Sequence, residues 1–89
     1  MGEIDDTARL LLKEMGQQAE GKPTPDVLPK VAAENLDLDP GSPEYEAALN
    51  HLLALGDIEP ASDPALVGQG LYRLTRQGLS RARELRWWR

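Results

Sequence analysis

The chain has 89 residues, no cysteine, no phenylalanine, one histidine and a formal net charge of −5. That length fits one domain with a small aliphatic core, and the missing cysteines exclude disulfides and thiolate chemistry. No stretch approaches the roughly 18–20 consecutive apolar residues of a membrane span, and the acidic start (Met1-Gly2-Glu3-Ile4-Asp5-Asp6) is unlike a signal peptide or a myristoylation site. A cytoplasmic protein is the expectation.

The net charge conceals an asymmetry. Residues 1–66 carry four basic and fourteen acidic side chains, a balance of −10, whereas residues 67–89 carry six arginines and one glutamate, a balance of +5. Such a chain either neutralises itself on folding or offers its basic end to an acidic partner, which could be the acidic part of another copy.

Ile4, Ala8, Leu11, Leu12 and Met15 recur on one face of an α-helix, which predicts a first helix from about Glu3 to Ala19. Asp5 and Asp6 suit its N-terminal dipole; Gly16 is expected to loosen the last turn and Gly21 to end it. A second helix is expected to begin near Thr24-Pro25-Asp26, with Thr24 as N-cap and Pro25 in first position. A start nearer Asp26 would bring Pro29 into the first turn, where its missing N–H does no harm. Leu28, Val31, Ala32 and Leu36 are expected inside and Asn35 outside. A short strand near Lys22-Pro23 finds little support, since proline donates no ladder bond.

Pro40-Gly41 breaks the chain, with Leu38 plugging the corner. Ser42-Pro43-Glu44 opens a third helix that runs to Leu55 and stops at Gly56. At 100° per residue, Tyr45, Ala48, Leu49, Leu52 and Leu53 form its buried arc. The opposite arc holds Ala47, Asn50, His51 and Ala54, with Glu44 and Glu46 flanking it. Ile58 to Pro60 and Leu71 to Leu74 read as two extended pieces around a long turn with Leu66 and Val67 near its tip, and Tyr72 and Leu74 alternate with Arg73 and Thr75. A last helix starts at about Thr75 and runs to the C-terminus, with Leu79, Ala82, Leu85 and Trp88 on one broad face. Trp87 then points roughly 100° away from Trp88.

The series Leu49, Leu52, Leu55, Gly56, Ile58, joined to Tyr72-x-Leu74-Thr75-x-x-Gly78, resembles the end of a winged helix-turn-helix domain. The resemblance extends from about Asp5 to Arg83. It implies a mainly α fold with a small β-hairpin: a three-helix bundle, a two- to three-stranded wing and a C-terminal helix, in a single domain over residues 1–89. It also implies a DNA-binding transcriptional regulator whose third helix enters the major groove, or, in a minority of the family, a protein-binding module on the same surface. The candidate recognition face is Glu44, Ala47, Asn50, His51 and Ala54. The candidate phosphate contacts are Lys22, Lys30 and Arg73.

The residues depart from the DNA-binding pattern. Affinity for a duplex rests on Lys and Arg at phosphates. The exposed arc of the third helix has neither, the wing tip from Asp63 to Gly70 has one acid and no base, and Glu44 and Glu46 would repel phosphate. Asn50 and His51 could still read a base edge. A non-enzymatic protein-interaction module is therefore expected, self-association included, with DNA binding as the alternative. Arg86, Trp87, Trp88 and Arg89 are the candidate partner or dimer contacts, because Trp and Arg are enriched at interface hot spots. Neither catalysis nor a cofactor is expected. His51 has Leu55 at i+4 and so lacks a second ligand, Gly68-x-Gly70 is no dinucleotide fingerprint, and Asp37-x-Asp39 fails the calcium-loop pattern at Gly41, Ser42 and Ala48.

Overall fold

The computed structural model describes residues 3–20, 26–61 and 70–86, with side chains from Asp6 onward. It is mainly helical, with a small three-stranded antiparallel sheet. The elements, in chain order, are α1 (Glu3–Ala19), β1 (Asp26–Val27), α2 (Pro29–Asn35), α3 (Pro43–Leu55), β2 (Ile58–Pro60), β3 (Tyr72–Leu74) and α4 (Arg76–Leu85). The expectations placed on Ile4, Gly21, Lys22-Pro23, Thr24-Pro25, Leu66, Val67 and Trp87 to Arg89 lie outside the described residues or side chains.

Helix α1 is the axle, packing against α2, α3 and α4. Ala8, Leu11, Leu12, Met15 and Ala19 are buried along one stripe, as the helical periodicity predicts. Gly16 does something other than loosen a turn. A β-carbon there would lie 2.6 Å from Ala82 Cβ, so the missing side chain at Gly16 lets α4 pack closely on α1.

The region after α1 departs from expectation. Asp26 and Val27 are strand, not helix, and pair antiparallel with Arg73 and Tyr72 of β3. Helix α2 starts at Pro29 in first position. The physical reason is the proline itself, which drives the preceding residue into the extended region: Leu28 has φ −111° and ψ 99°. A strand therefore fits before Pro29 and a helix after it. The later start also rotates the buried face. Pro29, Ala32 and Ala33 point inward, while Leu28 and Val31, expected inside, are 39% and 41% exposed. Gln18 of α1 clamps the junction, donating to Leu28 O (3.3 Å) and accepting from Leu28 N (3.1 Å).

Both ends of the α2–α3 corner are closed by caps. Asp37, at φ 58°, ends α2 in the left-handed region; its N–H bonds to Glu34 O and that of Leu38 reaches back to Ala33 O, which is a Schellman closure. Ser42 caps α3 as expected, its hydroxyl accepting from Tyr45 N (3.2 Å) and donating to Asp39 O (2.7 Å). Gly56, at φ 81°, ends α3 with the same closure, Asp57 N reaching Leu52 O.

Strand β3 is central, in the order β1-β3-β2. Ile58, Glu59 and Pro60 face Leu74, Arg73 and Tyr72. Val27, Ile58 and Leu74 turn into the core with Tyr45, Ala48 and Leu52, and Leu36, Leu38, Leu49, Leu53, Tyr72, Leu79 and Leu85 pack half-buried around them. Helix α4 begins at an N-cap, Thr75, whose hydroxyl accepts from Gly78 N (3.0 Å) and donates to Gly56 O (2.6 Å).

Candidate functional site

Helix α3 presents its outer face as the periodicity predicts. Glu44, Glu46, Asn50 and Ala54 are exposed, and Ala47 and His51 are half-buried. Leu55, one turn beyond His51, is 39% exposed and extends the face to the end of the helix. Beyond the two glutamates of the first turn, the face runs Ala47, Asn50, His51, Ala54, Leu55 and has no Asp, Glu, Lys or Arg. Those glutamates also favour the helix dipole. The contribution of Leu55 was not legible, because its spacing from Leu49 and Leu52 reads equally well as core.

Two of the three candidate phosphate contacts, Lys30 on α2 and Arg73 on β3, fall among the described residues. Lys22 lies outside the described residues. Lys30 is exposed on the first turn of α2. Arg73 turns to Asp26 across the β1–β3 pair, Nε to Oδ1 3.6 Å.

Two further ion pairs run the same way, from the arginine-rich segment after residue 66 to the acidic remainder of the chain. Arg86 Nη2 meets Glu20 Oε1 at 2.9 Å, and Arg81 Nε lies 3.4 Å from Asp57 Oδ2. The Arg86 pair is open to solvent on both sides and contributes little. Arg86, expected as a partner contact, is thus engaged within the chain, while Trp87, Trp88 and Arg89 lie outside the described residues.

Asp57 was not singled out in the sequence, yet it is fully buried. Gln77 Nε2 donates to its Oδ1 (2.7 Å) and to Leu55 O (2.8 Å). Thr75 N donates to Asp57 O at 3.1 Å. Asp57, between the end of α3 and the start of β2, is therefore tied to α4 twice: its carboxylate meets Gln77 and Arg81 in the first two turns, and its backbone carbonyl meets the Thr75 cap. Oδ2 is buried without a hydrogen-bond partner and has the Arg81 guanidinium as its neighbour; a buried carboxylate is costly unless a donor and a cation replace water. The only readable signal was an acid immediately after the C′ glycine of a helix.

Tyr45, buried at the start of α3, has its pKa raised by burial and by the neighbouring Tyr72. Among the described residues no group of His, Asp and Glu has metal-binding geometry, and no helix is long and apolar enough to cross a membrane.

Comparison with protein-family models, with curated proteins and with solved structures found no match for this chain.

Proposed function

We propose that the chain is a non-enzymatic winged-helix binding module that docks a protein through the outer face of α3. Support for the winged helix comes from the element order together with the sheet order β1-β3-β2, which brings a strand from before α2 alongside the hairpin that follows α3. One observation carries the choice of partner. The outer face of α3 has two exposed glutamates in its first turn and no lysine or arginine anywhere along it. A duplex approaching that end would meet negative charge. A protein surface would meet a small-residue strip, Ala47 and Ala54, bordered by Asn50, His51 and the exposed Leu55. Arg73 adds to the argument, since its guanidinium already faces Asp26.

DNA binding is the competing reading and has a direct test. The protein is titrated into random-sequence duplex at low salt, and the affinity is followed as salt rises. The expected result is weak binding with a shallow salt slope, because few cations can reach phosphates together. Micromolar or tighter binding with a steep slope overturns the protein-docking reading. Lys22, Lys30, Asn50, His51 and Arg73 would then be the positions at which binding should be lost.

A further inference from the structure

The two ends of α3 differ in what lies beside them. At its C-terminal end, Thr75 and Gln77 bond to Gly56 O and Leu55 O, so the start of α4 is fixed there. Arg76 is exposed at that start, and Arg83 is exposed two turns further along α4. Neither forms an ion pair among the described residues, unlike Arg81 and Arg86. Glu44 and Glu46 are at the opposite end of α3. Glu44 precedes Leu55 by eleven residues, about 16 Å along a helix axis. That exceeds the screening length of about 8 Å at physiological salt. Arg76 and Glu44 therefore sit beside opposite ends of α3, and no ion pair joins them.

We propose that a second copy of this chain supplies the missing neutralisation, its α4 lying across the outer face of α3. The proposal rests on the protein-docking reading above and names the occupant of that same face. Charge complementarity selects the occupant: the face of α3 has two glutamates at one end and no charged residue of either sign from Ala47 to Leu55 other than the titratable His51, and the exposed side of α4 carries Arg76, Ser80 and Arg83, net basic with Glu84 as the acid beside them. The spacing i, i+4, i+7 places those three residues on one side of the helix. Ala47 and Ala54 let a facing helix approach to the 8–10 Å typical of packed helix axes. Each copy carries both surfaces, so two copies can satisfy one another reciprocally.

The test is sedimentation of the full chain over a concentration series, at low and at high salt, for the wild type and two charge-reversed variants. One variant is Glu44→Arg with Glu46→Arg, the other Arg76→Glu with Arg83→Glu. The wild type is expected to associate at low salt and to dissociate as salt rises. Each variant alone should associate at least about tenfold more weakly, and an equimolar mixture of the two should recover association, because the reversed faces complement each other. Circular dichroism melts establish that both variants are folded. Should either be unfolded, the neutral pairs Glu44→Gln with Glu46→Gln and Arg76→Gln with Arg83→Gln replace them, each expected to weaken association. A wild type that stays monomeric to millimolar concentration at low salt overturns the proposal. So does association unaffected by either variant, or a mixture of charge-reversed variants that stays monomeric. A monomer that cross-links to another protein through a photoreactive group at position 54 refutes self-docking while leaving the broader reading intact. Tight, salt-steep binding to duplex DNA refutes the broader reading itself.

Discussion

Gly78 lies directly against the backbone of Asp57, and a β-carbon at position 78 would overlap the Asp57 carbonyl oxygen. The contact joins the first turn of α4 to the residue after Gly56, the glycine that ends α3. It leaves Asp57 O free to accept from Thr75 N, and the Gly78 N–H free to reach the Thr75 hydroxyl. The spacing Thr75-x-x-Gly78 is thereby explained: threonine caps the helix and glycine lets it sit flush.

The expected consequence is an inverted propensity effect. Glycine inside a helix is ordinarily less stable than alanine by roughly 0.5–1 kcal/mol. Gly78→Ala should instead destabilise, by about 1–3 kcal/mol or more, because backbone and not a movable side chain must give way. Gly41→Ala serves as the control, since a β-carbon there meets only Asp39 Oδ1 at 3.5 Å, an ordinary contact. Urea denaturation of both variants decides the matter. A Gly78→Ala midpoint equal to or above that of the wild type would refute the close approach.

Gly16 and Ala82 make the second backbone-limited contact, between α1 and α4, and it is open to a double-mutant cycle. Gly16→Ala should destabilise although it replaces a helical glycine, because the added methyl meets Ala82 Cβ at 2.6 Å. Ala82→Gly alone should also destabilise, by about 1 kcal/mol from helix propensity. Together they exchange which helix carries the methyl. The double variant should therefore be more stable than the sum of the single losses implies, by about 0.5–3 kcal/mol. Strict additivity in denaturation would show that the helices do not touch at these positions.

Leu52 and Val31 separate what periodicity read correctly from what it did not. Leu52 is 2% exposed in the core and Val31 is 41% exposed on α2. Leu52→Ala should lose about 2–5 kcal/mol, the range for a buried leucine. Val31→Ala should change stability by no more than about 0.5 kcal/mol, as exposed substitutions do. Equal losses would restore Val31 to the core and show that α2 starts earlier than Pro29.

That contrast also explains how much of the molecule was readable. Helices α1 and α3 are long enough for the spacing of apolar residues to fix their faces, and Ser42 and Gly56 announce the two ends of α3 through a capping side chain and backbone freedom, whereas Thr75, readable only as the approximate start of α4, proves to be its N-cap. Strand β1 has two residues and no period; it exists because Val27 and Asp26 find Tyr72 and Arg73, forty-odd residues away in sequence. The sequence left the start of α2 open between Thr24-Pro25 and Asp26, and the helix begins later than either, at Pro29, because Asp26 and Val27 are taken up by pairing with β3. The α3 face was readable because its residues follow helix geometry. The Asp57–Gln77–Arg81 junction was not, because it forms only when α4 docks on the end of α3.

Tyr45 gives a pH-dependent prediction. Its pKa is raised above 10.0, first by burial and then by Tyr72. The unfolded chain releases the Tyr45 proton at about pH 10, before the folded chain does. The folded state thus holds more protons in that interval, and stability falls as pH rises. The contribution of the neutral buried phenol is complete below about pH 10 and is lost from there up to the folded-state pKa. Tyr45→Phe has no proton to release at this position, so its stability should decline less steeply above pH 10 than that of the wild type, whatever the difference between them at pH 7. Urea midpoints measured from neutral pH into the alkaline range, for the wild type and Tyr45→Phe, provide the comparison. Parallel alkaline slopes would mean that Tyr45 titrates alike in the folded and unfolded chains, and that its hydroxyl reaches water.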